Sequence, residues 1–375
     1  MRRAEGITKN LSLPPNTSND GPSAGEPVAR LGRTERITKD LSTNHCSNPL
    51  KLFGNKNKSA MTISGFTMVR NATKLYYPIK QAITSILPIC DEFIVALGDC
   101  DPDDRTLEEI QSIGSDKIRI IHTVWDLDKY PRGMEHAHQT DIAKAACKGD
   151  WLFYVQSDEV VHEEDLPRIR QRCEELLFEE SVDGILFKYR HFWGDYDHYI
   201  TSHAWYANEI RIIRNDREIH SWESAQSFRR IPDFDGVHYR EKKGTYKLKV
   251  ARVDAHIYHY GWVRPPHYMQ KKRKAFATIH SGQNCAEEYF RKQEEEFDFG
   301  NLSQLTVYQE THPAVMQEQI RLFNWADQLE RRRFRQPVVR HKHERLKYRL
   351  LTFVEQNFLG GRQIMCFKNY RLVSR

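Results

Sequence analysis

The sequence lacks the features that mark several common classes of protein. No apolar run approaches the roughly 20 residues that span a bilayer, and no apolar segment follows the basic start of the chain, as a secretory signal would require. The HExxH, GxSxG and Walker patterns are also absent. Metalloproteases, serine hydrolases and P-loop enzymes therefore have no support.

Cysteine is sparse, and no two cysteines stand at Cys-x-x-Cys spacing. This argues against a zinc knuckle and against a disulfide framework. Scattered thiols suit a reducing compartment, so we expect a cytoplasmic protein. The seven cysteines are Cys46, Cys90, Cys100, Cys147, Cys173, Cys285 and Cys366.

The composition is that of a chain with a sizeable core. The 375 residues are 39% hydrophobic and 29% charged, enough for one large α/β domain plus an extension, or for two domains. The net charge of +6 is mild. It permits anionic partners such as nucleotide diphosphates or an anionic membrane surface, without requiring either.

Residues 1–60 differ from the rest of the chain. They are rich in Asn, Ser, Pro, Gly and Lys and have little apolar periodicity, so we expect disorder there. The hexamer Ile-Thr-Lys-Asn-Leu-Ser at 7–12 recurs as Ile-Thr-Lys-Asp-Leu-Ser at 37–42, which is too little for a solenoid. Met61 is a candidate for the working start, which N-terminal sequencing of the native protein would test.

From Met61 the pattern alternates between strands and helices, as in a parallel sheet with helical crossovers. This predicts a domain over residues 61–263 and a helical, basic extension over 264–375. The predicted strands are 63–69, 91–97, 118–124, 151–155, 184–189 and 209–214. The predicted helices are 75–87, 107–113 and 138–147.

The most informative segment is Lys-Gly-Asp-Trp-Leu-Phe-Tyr-Val-Gln-Ser-Asp-Glu at 148–159. An apolar strand over 151–155 leads to the carboxylates Asp158 and Glu159. The carboxyl ends of such strands face the crevice where open α/β sheets bind ligands. Hard oxygen ligands there suit Mg²⁺ or Mn²⁺ holding a diphosphate. The alternative is an Asp-Glu turn after a core strand.

A second acidic segment, residues 98–106, follows the strand over 91–97. Asp99 at its start could accept a hydrogen bond from the imide of a uracil or from the amino group of another base. Because Asp and Pro also favour turns and helix caps, a simple capping loop is the alternative.

Together these segments resemble a known family. The order of residues 63–71, 91–106, 139–143 and 149–159 is similar to that of GT-A-type, family 2 glycosyltransferases of the bacterial, cell-surface glycan type. Asp99, Asp104 and Thr106 match the family's acidic loop, and the resemblance extends over about residues 61–261. It implies an α/β fold: a Rossmann-like nucleotide-diphospho-sugar transferase domain with a mixed, mainly parallel sheet, followed by the helical C-terminal extension.

The sequence also departs from the family pattern. Gln156 replaces the first Asp of the family's Asp-x-Asp motif, whose last Asp most directly meets the metal and corresponds to Asp158. Thr140 and Asp141 stand where Arg-Asn is usual. A neutral Gln can still hydrogen-bond a ribose hydroxyl or a metal-bound water.

The resemblance implies a set of site residues. His259, in a His-Tyr-Gly segment, would join Asp158 in holding Mg²⁺ or Mn²⁺, with a structural histidine as the alternative. His256 would lie on the opposite face of the strand. The implied nucleotide-sugar-binding residues are Thr67, Asn71, Asp99, Asp141, Gln156 and Ser157.

The catalytic base implied by the resemblance is Glu223, in the segment at 219–224. An inverting transfer needs a base to deprotonate the acceptor hydroxyl. A surface Glu beside a packed Trp is the alternative. Trp193, Trp205 and Trp222 could stack a sugar ring, although each is also a candidate core residue.

The C-terminal part, residues 321–375, holds 14 Lys and Arg against four acidic residues. A basic helix that includes Leu346, Leu350 and Phe353 could lie on anionic lipid at the inner face of the cytoplasmic membrane. The alternative is a solvated helix packed on the main domain.

The resemblance implies an inverting, metal-assisted glycosyltransferase that acts on a glycan or lipid-linked acceptor in surface polysaccharide or lipopolysaccharide biosynthesis. The alternative is a non-catalytic nucleotide- or glycan-binding relative, marked by Gln156. We expect no nucleic-acid partner, since acidic blocks offset the basic residues and no known module appears.

Overall fold

The computed structural model describes residues 60–333, 341–366 and 368–373. Residues 1–59 of the segment predicted to be disordered, which include the repeated hexamer, lie outside the described residues. The side chains of the arginine run at 331–333 are not described either. The predicted start at Met61 therefore stays a prediction.

The strands begin at the first apolar run and recur along most of the chain. They are β1 (Ile63–Val69), β2 (Glu92–Leu97), β3 (Ile118–His122), β4 (Trp151–Tyr154), β5 (Glu159–Val161), β6 (Gly184–Trp193), β7 (His198–Ile200), β8 (Asn208–Arg214), β9 (Ile219–Trp222), β10 (Ser227–Arg230), β11 (Tyr246–Trp262), β12 (Thr306–Val307) and β13 (Tyr370–Leu372).

Helices alternate with the early strands and dominate after β11. They are α1 (Ile79–Ile86), α2 (Thr106–Gln111), α3 (Met134–Ala145), α4 (Leu166–Leu176), α5 (Pro266–Ser281), α6 (Gln283–Phe290), α7 (Gln317–Arg321), α8 (Ala326–Arg333) and α9 (Leu346–Phe358).

The strands form one mixed sheet in the order β3-β2-β1-β4-β8-β6-β11-β10-β9. The first four are parallel, whereas β8 is antiparallel to both β4 and β6. The α/β class with a mixed sheet is thus confirmed. Because β1, β2 and β4 are parallel neighbours, the loops at their carboxyl ends lie at one edge of the sheet.

Both faces of the central strands are buried, which explains their nearly continuous apolar runs. Phe153 packs in a cluster with Ile83 of α1 and Ile169 of α4. Its neighbour Tyr154 points to the other face and packs with Phe66 and with Ala143 of α3. The central strands are therefore covered by helices on both sides.

Strand β1 has the predicted bounds, but other elements differ from the prediction. Helix α1 begins at Ile79 rather than at residue 75, because Tyr76 has a positive φ of 57° and Pro78 precedes the first turn. Helix α3 begins at Met134 rather than at 138, directly after Gly133 with φ 84°. Strand β6 continues to Trp193 because β11 pairs along it.

None of the helices in the described part of the chain has both the length and the apolar character that crossing a membrane requires.

Candidate active site

The loops after β1 and β2 are joined by side-chain hydrogen bonds. The Asn71 Oδ1 atom accepts from the amide of Asp101 at 2.8 Å, and Asn71 itself has a φ of 54°. Both oxygens of the Asp99 carboxylate have partners: Arg70 donates to Oδ2 at 3.1 Å and the Trp125 amide donates to Oδ1 at 3.0 Å. Each acceptor oxygen of these two predicted ligand-binding residues thus has one hydrogen-bond partner within the protein.

Asp158 lies in the loop that follows the carboxyl end of β4, directly before β5, and is 5% exposed. Its Oδ2 atom accepts from the Lys272 ammonium at 3.0 Å and lies 3.8 Å from Nε2 of His259. Lys272 also donates to the Gly261 carbonyl at 2.8 Å. The two residues predicted to hold a metal are therefore side by side, and a lysine of α5 contacts the carboxylate.

The charges around Asp158 shift its pKa and that of Lys272. Burial alone would raise the pKa of Asp158, but the interactions with Lys272, His259 and Arg264 outweigh burial and lower it well below its usual range. Burial, and then Arg264, lower the pKa of Lys272 to about 8, against the opposing effect of Asp158. The carboxylate of Asp158 is therefore ionised at neutral pH.

Gly261 leaves space between the two candidate metal ligands. A Cβ atom at this position would lie 2.4 Å from His259 Nε2 and 2.6 Å from Asp158 Oδ2. Within the residues that the structure describes, no three His, Cys, Asp or Glu side chains group together to hold a metal. A cation at this position would have Asp158 and His259 as its side-chain ligands.

Glu159, which follows Asp158 directly, has a structural role. Its carboxylate forms a two-pronged ion pair with Arg211, at 2.7 Å for each contact, and accepts from the Tyr189 hydroxyl at 2.8 Å. It also accepts from the backbone amide of Gln156 at 3.1 Å. Both Glu159 and Arg211 are fully buried, so the ion pair anchors the loop that carries Asp158.

The remaining residues predicted from the strand ends contact the backbone. The Gln156 side-chain amide donates to the Ala225 carbonyl at 2.8 Å. The hydroxyls of Ser157 and Thr67 both lie 3.4 Å from the Met68 carbonyl. Thr67, Gln156 and Ser157 therefore lie close to the ends of β1 and β4, and their predicted role in binding a nucleotide-sugar stays a prediction.

Glu223 lies in the turn that joins β9 to β10. Glu223 and Ala225 have positive φ angles of 56° and 59°, which are uncommon for residues with a side chain and store strain. Gln156 holds the carbonyl of Ala225, and Arg211 donates to the carbonyl of Gln226 at 3.1 Å. A hydrogen bond thus joins the loop that carries Asp158 to the turn that carries Glu223.

The side chain of Asp141 forms hydrogen bonds to two residues of β9. Its carboxylate is 2.7 Å from Nδ1 of His220 and accepts from the Ser221 amide at 2.8 Å. Asp141 on α3 therefore positions the strand that leads to Glu223, and both of its oxygens have partners within the protein.

The three tryptophans have different environments. Trp193 is buried and stacks on Trp262 at 4.6 Å, and Trp222 is buried beneath Arg229. Trp205 is half-buried and lies 5.0 Å from the ring of His191. The first two are core residues, while Trp205 packs against His191, whose ring in turn contacts that of His259.

Sequence reasoning missed Lys272, Arg264 and His191. Lys272 belongs to a Lys-Lys-Arg-Lys run that resembles a solvated helix face. Its position three residues after the buried Met269 was the available signal, because residues three apart share a helix face. Nε and Nη2 of the buried Arg264 guanidinium have no hydrogen-bond partner in the described part of the chain.

No protein-family model matches the chain, and no curated protein matches it. Solved structures overlap with parts of it. Glucosyl-3-phosphoglycerate synthase from Mycobacterium tuberculosis, in complex with Mn²⁺, uridine diphosphate and phosphoglyceric acid, is 22% identical over 36% of this chain and 44% of that one, with a TM-score of 0.25.

TarS from S. aureus is 15% identical over 63% of this chain and 41% of that one, with a TM-score of 0.33. A third structure, of a mycobacterial protein, is 20% identical over 35% of this chain and 42% of that one, with a TM-score of 0.25. The chain thus spans less than half the length of each of these structures. Overlaps this limited do not identify a family or an activity.

Proposed function

We propose that the protein is an inverting glycosyltransferase that moves a sugar from a nucleotide-diphospho-sugar to a hydroxyl of a glycan or lipid-linked acceptor. The observation that carries the proposal is the buried, ionised Asp158 beside His259 and Lys272 at the carboxyl edge of a parallel sheet. The ordered motifs that resemble family 2 glycosyltransferases add support. In this reading the donor lies along the ends of β1, β2 and β4.

The donor set at this edge fits Mg²⁺ or Mn²⁺. Asp158 and His259 would hold the ion, and Gly261 leaves open the space between them. Such ions commonly take one or two protein ligands and complete their shell with phosphates and water. When bound, the ion would stabilise the charge that develops on the leaving diphosphate.

Lys272 and Arg264 add positive charge next to this pair. Lys272 neutralises Asp158, and its side chain is 14% exposed, so its ammonium can contact an incoming phosphate oxygen. The two cations exceed the single carboxylate by one positive charge. This excess favours a dianionic ligand such as a diphosphate.

Glu223 is the proposed base that deprotonates the acceptor hydroxyl. Its strained φ is typical of functional sites, where the surrounding structure holds a residue in an unfavourable conformation. The bond from Gln156 to Ala225 links the turn to the donor loop. The distance between the base and the diphosphate site would therefore stay constant during transfer.

A non-catalytic nucleotide-binding relative is the second candidate. Its support is Gln156, a neutral residue whose side-chain amide donates a hydrogen bond to the backbone carbonyl of Ala225. This candidate requires nucleotide binding that does not depend on metal. It thus differs from the first candidate in a measurable property.

Titration calorimetry with UDP, GDP and CDP, with and without Mn²⁺, tests the proposal. The variant is Asp158→Asn, which keeps the size of the side chain and removes its charge. The matched control is Asp254→Asn, at an exposed aspartate whose side chain is 72% accessible. We expect one nucleotide to bind in a Mn²⁺-dependent manner to the wild type and the control, but not to Asp158→Asn.

Binding that is indifferent to Mn²⁺ and to Asp158 would favour the non-catalytic relative. An absence of binding by the folded wild type to all three nucleotides would contradict the glycosyltransferase proposal. Acceptor screening would follow a positive result, and surface-polysaccharide intermediates are the proposed acceptors.

Helix α9 provides a surface for an anionic membrane in this proposal. Leu346, Leu350 and Phe353 are 78%, 63% and 57% exposed and form one stripe at i, i+4 and i+7. Lys347 and Arg349 flank the stripe on either side. Such a basic amphipathic helix binds the surface of anionic bilayers, which would place the enzyme peripherally at the inner face of the cytoplasmic membrane.

The opposite side of α9 is attached to the protein. Thr352 accepts from the amide of His203 at 2.9 Å, and the buried Glu355 is 2.6 Å from Nδ1 of the same histidine. Co-sedimentation with vesicles containing phosphatidylglycerol should retain the wild type but not Leu350→Glu. Leu322→Glu, at another exposed leucine, is the control. Equal sedimentation of both variants would contradict the membrane contact.

A further inference from the structure

His191 of β6 is buried beside the candidate metal ligand His259. It is 1% exposed, and its Nδ1 lies 3.0 Å from Nδ1 of His259. Its other nitrogen, Nε2, lies 2.8 Å from the carbonyl oxygen of Tyr206. Each nitrogen of the ring therefore has one defined partner.

These two contacts determine where the proton of His191 lies. A carbonyl oxygen can only accept, so Nε2 of His191 carries a hydrogen and donates it to Tyr206. The ring is 1% exposed, and its two nitrogens contact a carbonyl oxygen and a second imidazole, neither of which carries a balancing negative charge. Burying an unpaired charge is costly, so the ring is neutral and Nδ1 has no hydrogen. Nδ1 of His191 is thus an acceptor.

The position of the hydrogen on the His259 ring follows from the state of His191. Its Nδ1 must donate to the bare Nδ1 of His191, because a bond between two bare nitrogens cannot form. Metal binding requires a neutral imidazole, and in a neutral ring a hydrogen on Nδ1 leaves Nε2 unprotonated. The lone pair of Nε2 then lies 3.8 Å from an oxygen of Asp158, too far for a hydrogen bond and suited to a shared cation.

The ring of His191 is also held in place. Tyr189 stacks on it at 5.3 Å and Tyr206 packs edge-on at 4.6 Å. Trp205 lies at 5.0 Å. With three aromatic neighbours and two hydrogen bonds, His191 has little freedom to rotate or to change partner.

We propose that His191 is a positioning residue, which accepts from Nδ1 of His259 and thereby presents the unprotonated Nε2 of His259 to a divalent cation shared with Asp158. This inference rests on the proposed metal-assisted function, since it concerns the same pair of ligands. A partner that fixes the tautomer of a ligating histidine typically changes metal affinity by 10- to 100-fold.

The test measures the tautomer of His259 in metal-free protein by nitrogen NMR of ¹⁵N-histidine-labelled samples. His259→Gln assigns the signal, and His256→Gln, on the same strand, is the control that should leave it unchanged. Two variants then probe His191. His191→Phe keeps an aromatic ring without an acceptor, while His191→Gln restores both a donor for Tyr206 and an acceptor for His259.

We expect His259 to carry its proton on Nδ1 in the wild type and in His191→Gln, and to lose this preference in His191→Phe. Mn²⁺ affinity measured by calorimetry should fall 10- to 100-fold in His191→Phe and largely recover in His191→Gln. A wild-type proton on Nε2, or an unchanged tautomer in folded His191→Phe, would overturn the inference. If His191→Phe does not fold, the wild-type tautomer alone decides.

The outcome separates the two proposals. If the tautomer behaves as expected but Mn²⁺ binds neither the wild type nor His191→Gln, the metal-assisted function fails while the effect of His191 on His259 stands. If Mn²⁺ binds with equal affinity to all three proteins, the function stands and the inference about His191 fails.

Discussion

Removing one partner of the buried ion pair between Glu159 and Arg211 should be among the most destabilising single changes at a charged residue of this protein. Glu159→Gln keeps the shape of the side chain but leaves the Arg211 guanidinium, which is fully buried, without a counter-charge. Breaking a buried pair in this way costs about 3–5 kcal/mol. This corresponds to a change of about 10²- to 10⁴-fold in the unfolding equilibrium.

Urea unfolding followed by circular dichroism measures this cost. The surface control is Asp254→Asn, which breaks an ion pair with Lys188 whose side chains are 50% and 72% exposed. We expect that control to cost no more than about 1 kcal/mol. Because Arg211→Met removes the stranded charge, the double variant Glu159→Gln/Arg211→Met should lose less than the sum of the two single changes.

A loss below about 1 kcal/mol for Glu159→Gln would refute the reasoning, because it would mean that Arg211 finds other partners or water. The ion pair also joins the loop that carries Asp158 to the turn that carries Glu223, through the Gln156 amide and the Gln226 carbonyl. We therefore expect nucleotide affinity to fall in this variant even where it remains folded.

Three further expectations concern single changes. Burial raises the pKa of Glu209 from 4.5 to about 7, so its contribution to stability is present below pH 4.5 and is lost as the pH rises through 7. Wild-type stability should therefore fall by roughly 3 kcal/mol more than that of Glu209→Gln between pH 4.5 and 8 in urea titrations. Gly261→Ala places a methyl group between the candidate metal ligands, so calorimetry should detect no Mn²⁺ binding to the folded variant. Glu223→Gln should lower sugar transfer by about 10²- to 10⁴-fold with nucleotide affinity unchanged, whereas Glu218→Gln, at a half-exposed glutamate on the same hairpin, should retain the rate.

The central strands could be predicted because their composition leaves little choice. Strand β4 is apolar on both faces and lies next to β1 in the centre of the sheet, so continuous apolar character indicates a buried strand. The start of α3 could not be predicted in the same way. Its first turn contains Glu135 and His136, and only tertiary packing buries Glu135 completely.

The candidate site was partly predictable for the same reason. Asp158 and the loop at Asp99 follow apolar strands, and the strand-end rule indicates a shared edge. Lys272 could not be predicted as a partner of Asp158, because it lies 114 residues away in a run of basic residues. Nor does the sequence indicate that Asp141 binds β9, since a free carboxylate and a hydrogen-bonded one look alike in a sequence.

By itself, the sequence determined the α/β class, the central strands and the acidic residues that end them, because apolar periodicity and turn chemistry are local properties. Only the tertiary structure decided what each acidic residue does. Asp158 and Glu159 are adjacent and chemically similar, yet one faces His259 and Lys272 while the other is paired with Arg211. Asp158 lies in the turn before β5 and Glu159 is the first residue of that strand, and the partners that the two side chains meet come from distant parts of the chain.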